Sequence, residues 1–205
     1  MTIDTDDMIN SIMRSLSRID YIKPADIPNI DLYMDQVTTF MDSHLAHSKR
    51  NSDDKILTKT MINNYAKNDL LPPPLKKKYS KEHLLVLIFI YYFKGVLSIT
   101  DIQTLLHPIT EKYFHNDSDF NMETLYQEVF SLEKSQVNEI SKDILEKYNT
   151  SQKTFENADE EDQGFLKYFS FICLLSFDVY IKKQLIEKLI DELPKKDSEK
   201  EKNKK

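Results

Sequence analysis

The apolar run at residues 84–93 constrains the fold of this chain more than any other stretch. It contains no charged side chain, and two tyrosine hydroxyls are its only polar groups. Ser80 stands before it where a helix N-cap is expected, and Gly95 stands after it where a helix end favours positive φ. Because a helix that is apolar on every side must be surrounded by protein, the sequence predicts a buried central helix over residues 81–94.

Glycine is rare, with only two in 205 residues. Tight β turns and phosphate-binding loops both rely on glycine, so β-rich folds and nucleotide-binding loops are disfavoured. The chain is 40% hydrophobic and long enough to enclose a core. We therefore expect an all-α protein.

The cellular compartment is predicted from cysteine usage and hydropathy. A single cysteine, Cys173, excludes an internal disulfide, and the N-terminus does not resemble a signal peptide. The run at 84–93 is about half the roughly 20 residues that cross a bilayer, and the apolar stretch 165–181 carries Lys167 and Asp178. We expect a cytoplasmic protein with no membrane segment.

Capping residues and the helical spacing of apolar residues predict the other helices. Asp31 is the expected N-cap of the first, and Pro108 is expected to end or bend the third. The predicted helices cover 32–45, 58–69, 98–106, 121–148 and 163–193, with an irregular stretch at 109–120. Residues 165–181 of the last helix are apolar nearly all round, which predicts burial.

The charge of the chain is concentrated. Residues 55–94 carry eight basic and two acidic residues, a net charge of +6, although the whole chain has a net charge of −6. A basic island inside an acidic protein is a localised electrostatic footprint for a polyanion such as nucleic acid.

The helix at 58–69 has two unlike faces when its residues are placed at 100° intervals. One face is apolar, and the other holds Thr60, Asn63, Asn64 and Lys67 with no acidic residue. Asparagine can donate to and accept from an adenine edge in the major groove, so this face is a candidate DNA-reading surface. The alternative is an ordinary solvated helix face.

A second basic feature follows the prolines at 72–74. Lys76, Lys77 and Lys78 precede Tyr79, and Lys81 begins the central helix. Such lysines would contact phosphates and position a domain on DNA without reading its sequence. The alternative is a solvated lysine run. We expect both Tyr65 and Tyr79 to pack in the core.

The order of these motifs resembles the DNA-binding half of MerR-type regulators, a winged helix-turn-helix. Ile62-Asn63-Asn64-Tyr65 stands at the second-helix motif, and Leu70-Leu71-Pro72 stands at its end. Lys77-Lys78-Tyr79 closes the basic wing, and Gly95-Val96-Leu97-Ser98-Ile99 restarts the following helix. Asn63 and Asn64 replace an arginine and a tyrosine of that pattern, and two long helices replace its dimer-forming coiled coil.

The whole chain resembles a bacterial family catalogued as a domain of unknown function, through Asp31-Leu32-Tyr33-Met34-Asp35-Gln36-Val37 and residues 76–80. That resemblance covers roughly residues 25–185 and implies no established activity. The expected organisation is an N-terminal helix and linker (1–24), a winged helix-turn-helix-like domain (25–110), a C-terminal helical region (111–193) and a disordered basic tail (194–205).

Two functions fit these observations. The first is a DNA-binding transcription regulator that forms a homodimer through the C-terminal helices and binds double-stranded DNA. Its contact residues are Thr60, Asn63, Asn64, Lys67, Lys76, Lys77, Lys78 and Lys81. The second is a helical protein–protein interaction module of unknown partner on the same scaffold. The five histidines are scattered and no nucleophile–base pair stands out, so we expect no catalytic activity, metal or cofactor.

Overall fold

The computed structural model describes residues 9, 11, 13, 14, 21–116 and 118–194. Within them the protein is mainly helical, with one two-stranded sheet. The predicted tail beyond Pro194 and most of the predicted N-terminal helix lie outside the described residues. The elements in chain order are a 3-10 turn Pro24–Asp26, β1 (Leu32–Tyr33), α1 (Met34–His44), a 3-10 turn Ala46–Ser48, α2 (Lys59–Lys67), β2 (Lys78–Tyr79), α3 (Lys81–Phe93), α4 (Ile99–Tyr113), α5 (Met122–Ser131), α6 (Glu133–Ser151) and α7 (Glu160–Asp191).

The central helix α3 is buried as its sequence predicts. Every residue from 83 to 90 is buried, and residues 84–90 belong to the main core. The helix ends at Phe93, where the backbone N–H groups of Val96 and Leu97 both donate to the Phe93 carbonyl, at 2.9 and 2.8 Å. The prediction for Gly95 is wrong, because no glycine of the described chain has a positive φ.

The start of α1 differs from the prediction. Asp31 is not its N-cap, because Leu32 and Tyr33 form a strand that pairs antiparallel with Tyr79 and Lys78 of β2. The helix begins only at Met34, and Gln36 Oε1 accepts a hydrogen bond from the Tyr33 N–H at 2.9 Å. Local spacing predicts a helix for these two residues, but they form a strand because they pair with a distant segment.

Helix α4 begins as predicted and ends later. The Ser98 Oγ accepts from the Asp101 N–H at 3.1 Å, which confirms the predicted capping box. The helix then continues through Pro108 to Tyr113, so the expected irregular stretch starts later than residue 109. Pro108 is exposed, and water can reach the backbone groups that its ring leaves unpaired. The predicted domain boundary at residue 110 therefore falls inside a helix.

The predicted long helix at 121–148 is two helices that meet at Leu132. Tyr126 and Phe130 of α5 belong to the main core, which runs from Ile22 to Phe130 and also includes Ile190. Tyr148 of α6 instead packs edge-on against Phe171 of α7, at 5.5 Å between ring centroids, in a second cluster. The two helices are therefore buried against different partners.

The predicted burial of 165–181 is wrong. Only Phe171 and Ile190 of α7 are buried, and the helix packs against α6 and α4, with Ile190 in the main core. The other sides carry a set of exposed apolar residues: Phe165, Phe169, Ile172, Phe177, Val179, Tyr180, Ile181, Leu185, Ile186 and Leu189. These exposed apolar side chains have no covering among the described residues.

Candidate nucleic-acid interface

Helix α2 is held in place at both ends and along its inner face. The Thr58 Oγ1 accepts from the Met61 N–H at 3.2 Å, so the predicted N-cap is confirmed. At the other end, Gln103 Nε2 of α4 donates to the Asn68 carbonyl at 3.1 Å. Ile62 and Tyr65 are buried between these ends, which leaves the opposite face of the helix in solvent.

The four predicted residues of α2 lie on that solvent face. Thr60, Asn63, Asn64 and Lys67 are all exposed. None of their side chains makes a hydrogen bond or an ion pair with another described residue. Their donors and acceptors are therefore available to an external ligand. Lys67 is the one charged residue among the four.

The predicted lysine run forms a tight reversal. The Lys78 N–H donates to the Leu75 carbonyl at 2.9 Å, and Lys76 and Lys77 are the two residues between them. Both have positive φ, 51° for Lys76 and 64° for Lys77. In two-residue hairpin turns such positions favour asparagine and glycine, so two exposed lysines are held here in a conformation that costs backbone energy.

A chain of contacts joins this lysine turn to the start of α2. Lys78 Nζ lies 5.3 Å from the centre of the Tyr33 ring, across the β1–β2 pair. Two residues after Tyr33, the Asp35 carboxylate forms an ion pair with Lys59, the first residue of α2. The turn and the start of α2 therefore both abut the first turn of α1.

Among the described residues, Lys81 is the one predicted contact residue whose ammonium forms an ion pair. Its Nζ lies 2.8 Å from Glu123 Oε2 of α5, and its side chain is only 19% exposed. This ion pair joins the start of α3 to α5. Lys81 is thereby drawn toward the helical body and away from the solvent-facing set.

Tyr65 and Tyr79 are core residues, as predicted. Both are buried, and burial raises the pKa of each phenol. Tyr79 also meets the ring of His83 edge-on, at 5.4 Å between centroids. Neither tyrosine is presented to a ligand.

Tyr33, Asp35 and Lys59 connect the two basic features, and no sequence signal predicts this role for them. Tyr33 was assigned to a helix, and a strand of two residues leaves no periodic signal in the sequence. The pairing of Lys59 with Asp35 spans the loop between α1 and α2, so local spacing carries no trace of it.

Metal-ligating clusters and membrane-spanning helices are two further features that bear on function. Among the residues that the structure describes, no group of three His, Cys, Asp or Glu side chains could hold a metal ion. Helix α7 is long and apolar enough to cross a membrane by length and composition, and 6% of its most apolar window is buried. A single helix of this kind is weak evidence for a membrane span.

Comparison with known proteins gives one family match, over residues 22–129. This range coincides with the main core, which runs from Ile22 to Phe130, and stops short of α6 and α7. It contains both segments through which the sequence resembles a domain-of-unknown-function family. No curated protein and no solved structure matches the chain. The chain belongs to the family described as Domain of unknown function (DUF1836).

Proposed function

We propose that this protein is a DNA-binding transcription regulator without catalytic activity. In this proposal α1 and α2 act as a MerR-like helix-turn-helix, and the Leu75–Lys78 turn acts as its wing. The observation that carries the proposal is the pairing of an acid-free, solvent-facing helix side with a lysine-tipped turn, both next to the first turn of α1.

The solvent face of α2 supplies the sequence-reading chemistry. A side-chain amide can form two hydrogen bonds with an adenine edge in the major groove, which discriminates by about 1–3 kcal/mol per base pair. Asn63 and Asn64 are exposed, and no described residue competes for their amides. In this proposal they read bases while Thr60 and Lys67 contact the adjoining backbone.

The lysine turn supplies the phosphate contacts. Lys76 and Lys77 are exposed at its tip, and Lys78 is steadied by the Tyr33 ring at 5.3 Å. Ammonium groups on a short, hydrogen-bonded turn can meet phosphates with less loss of conformational freedom than those on a loose tail. Lys81 has a minor role here because Glu123 neutralises it.

The C-terminal helices complete the proposal by pairing two chains into a homodimer. Two copies of α2 would then meet two half-sites related by the same twofold axis. Pairing also raises the affinity for an operator well above that of one isolated domain.

The test is a fluorescence-anisotropy titration of labelled duplex DNA at several salt concentrations. For each phosphate contact removed, the slope of log affinity against log salt falls by about one. We expect the double variant K76A/K77A to lose about two from this slope. A duplex pool enriched by repeated binding should also differ at an adenine position between the natural protein and N63A.

A matched control is K112A/K153A, which changes the net charge equally at exposed lysines outside the basic face. The control should retain the natural slope. Equal losses in the two double variants would mean that charge alone, with no defined face, is responsible. The absence of any salt-dependent binding by the natural protein would reject the proposal.

A second candidate function is a protein–protein interaction module on the same scaffold. The exposed apolar side of α7 favours it, because soluble proteins seldom leave so many large apolar residues uncovered on one helix. It predicts no DNA binding at any salt concentration, together with stable capture of a different protein by the full chain. The titration above separates the two candidates.

A further inference from the structure

The exposed apolar residues of α7 include one straight stripe. Phe165, Phe169, Ile172 and Val179 are exposed, and Ser176 completes the spacing between the last two. The steps along this stripe are four, three, four and three residues. That alternation is the signature of a helix side that packs against another helix in a coiled coil.

The two ends of the stripe carry opposite charges. The same spacing leads back from Phe165 to Asp162, next to Glu160 and Glu161, and forward from Val179 to Lys183. Lys183 Nζ lies 3.7 Å from Glu187 Oε1 on the next turn, a partly exposed pair that can exchange for an acidic group of a second copy. The stripe is therefore acidic at its N-terminal end, apolar in the middle and basic at its C-terminal end. Its length from Asp162 to Lys183 is about 30 Å at 1.5 Å per residue.

A surface with this pattern is complementary to itself when two copies run antiparallel. The acidic end of each helix then lies beside the basic end of the other, and a twofold axis crosses the stripe near Ile172. We infer that α7 pairs with α7 of a second copy of this chain in that antiparallel arrangement. This inference rests on the pairing of two chains in the proposed function. It does not depend on contact with DNA.

The shape of the stripe supports the antiparallel arrangement. A shallow apolar groove of about 460 Å³ runs along its C-terminal half, lined by Ile172, Leu175, Ser176, Val179, Tyr180 and Lys183. In the antiparallel pair, Phe165 and Phe169 of the second copy face this groove. The Ser176 hydroxyl already donates to the Ile172 carbonyl at 2.8 Å, so it can lie against an aromatic ring without losing a hydrogen bond to water.

The remaining apolar residues of α7 make a poorer seam. Phe177, Ile181, Leu185 and Leu189 are each four residues apart, and a strict step of four winds around the helix. No acidic group precedes this row at the same spacing, and Asp191 and Glu192 follow it, so its two ends do not carry opposite charges. These residues therefore lack the self-complementary ends that single out the first stripe.

A lipid bilayer is a poorer partner than a second copy. Asp178 forms an ion pair with Lys182 at 2.9 Å and lies 3.9 Å from Lys147 of α6. Helix α6 packs alongside α7 and also carries Glu139, Lys142 and Asp143. Insertion of α7 would draw these charges into hydrocarbon, which is costly even for single residues.

The test is the mass of the full-length protein by sedimentation velocity between about 1 and 100 µM. We expect twice the 24.2 kDa chain mass for the natural protein and the single-chain mass for I172E. Asp162→Lys and Lys183→Glu should each weaken pairing about tenfold, because the twofold axis repeats every contact. The combined exchange D162K/K183E should restore pairing. The off-stripe variant L185E is the matched control and should remain a dimer.

Three outcomes would overturn the inference: a monomer at all concentrations, dissociation by L185E but not by I172E, or no recovery in the combined exchange. Flotation with vesicles of phosphatidylcholine and phosphatidylglycerol by a monomeric natural protein would assign the stripe to lipid instead. The dimer must persist in K76A/K77A, whose loss of DNA binding would concern the basic face alone. A dimer that binds no DNA would leave this inference intact and reject the proposed regulator.

Discussion

Lys81 Nζ lies 2.8 Å from Glu123 Oε2, so the start of the buried helix α3 is joined to α5 by an ion pair. This contact separates Lys81 from the lysines of the turn, although all of them belong to one basic stretch of sequence. A partly exposed pair of this kind contributes little to stability, on the order of 1 kcal/mol or less.

The first prediction compares Lys81 with Lys77. We expect K81A to change duplex affinity by less than about twofold and K77A to lower it several-fold at low salt, because Lys77, unlike Lys81, has no ion-pair partner among the described residues. Parallel anisotropy titrations would measure both. A larger loss of duplex affinity in K81A would mean that the Lys81–Glu123 ion pair opens on binding. In that case E123Q should raise the duplex affinity.

The second prediction concerns the lysine turn. Replacing Lys76 and Lys77 by asparagine and glycine should relieve two positive-φ positions and raise the free energy of unfolding by about 1–2 kcal/mol. The same variant should bind duplex DNA more weakly, because two phosphate contacts are lost. Urea unfolding and anisotropy would measure the two effects.

For the turn, K76A/K77A is the control that separates conformation from charge. It removes both charges and keeps the strained backbone, so it should weaken DNA binding with no gain in stability. Equal stability in the asparagine–glycine and the double-alanine variants would contradict the assignment of strain to this turn.

The third prediction concerns the buried hydrogen bond from Tyr126 Oη to the Ile22 carbonyl, 2.7 Å long. Tyr126 is fully buried, and burial strongly raises the pKa of its phenol. Y126F should lower the free energy of unfolding by about 1–3 kcal/mol, because it leaves a buried carbonyl without a donor. Y33F removes the hydroxyl of an exposed tyrosine and keeps the ring beside Lys78, so it should change this free energy by less than about 0.5 kcal/mol in the same urea titration.

The fourth prediction is a loss of stability in mild acid through His83. This side chain is buried, and burial lowers its pKa to about 4, an effect that the nearby Pro73 carbonyl partly opposes. The unfolded histidine, with its ordinary pKa of about 6.5, binds a proton first as the pH falls. The contribution of neutral, buried His83 to the free energy of unfolding is therefore fully present above pH 7. It is lost progressively between about pH 6.5 and 4.

Urea unfolding at pH 7 and pH 4.5 would measure this loss, which should be about 2–3 kcal/mol for the natural protein. H83Q keeps an acceptor for the Ser80 N–H, which donates to His83 Nδ1 at 3.0 Å, and removes the titration. The difference between the two pH values should be smaller in H83Q by that amount. Asp42, Asp54 and Asp178 have lowered pKa values and affect stability mainly at still lower pH.

Local sequence signals predicted the elements that local physics controls. The caps at Thr58 and Ser98, and the apolar run of α3, are decided within a few residues of chain. These predictions are correct because a capping hydrogen bond forms in one local arrangement, at the start of a helix. A helix that is apolar on every side likewise has one arrangement, which is burial. The exposed polar side of α2 follows from the same periodicity, since burial of Ile62 and Tyr65 turns it outward.

The errors arose where distant segments meet. Strand β1 exists because Leu32 and Tyr33 pair with a strand more than forty residues away, and no local pattern records that partner. The predicted helix 121–148 is divided at Leu132, and its two parts, α5 and α6, enter different cores. The prediction that α7 is buried is wrong for a related reason. An apolar composition indicates that a surface should be shielded from water, but it does not indicate whether the same chain shields it.

The amino-acid sequence by itself determined a mainly helical protein, its family, its buried central helix and the acid-free polar side of α2. Only the tertiary structure decided that Lys81 is paired, that the lysine turn adjoins the start of α2, and that most of α7 is uncovered. The physical reason is the distance along the chain over which each kind of interaction acts. Hydrogen bonds and side-chain periodicity within one helix act over a few residues, whereas ion pairs, strand pairing and burial depend on which elements meet in space.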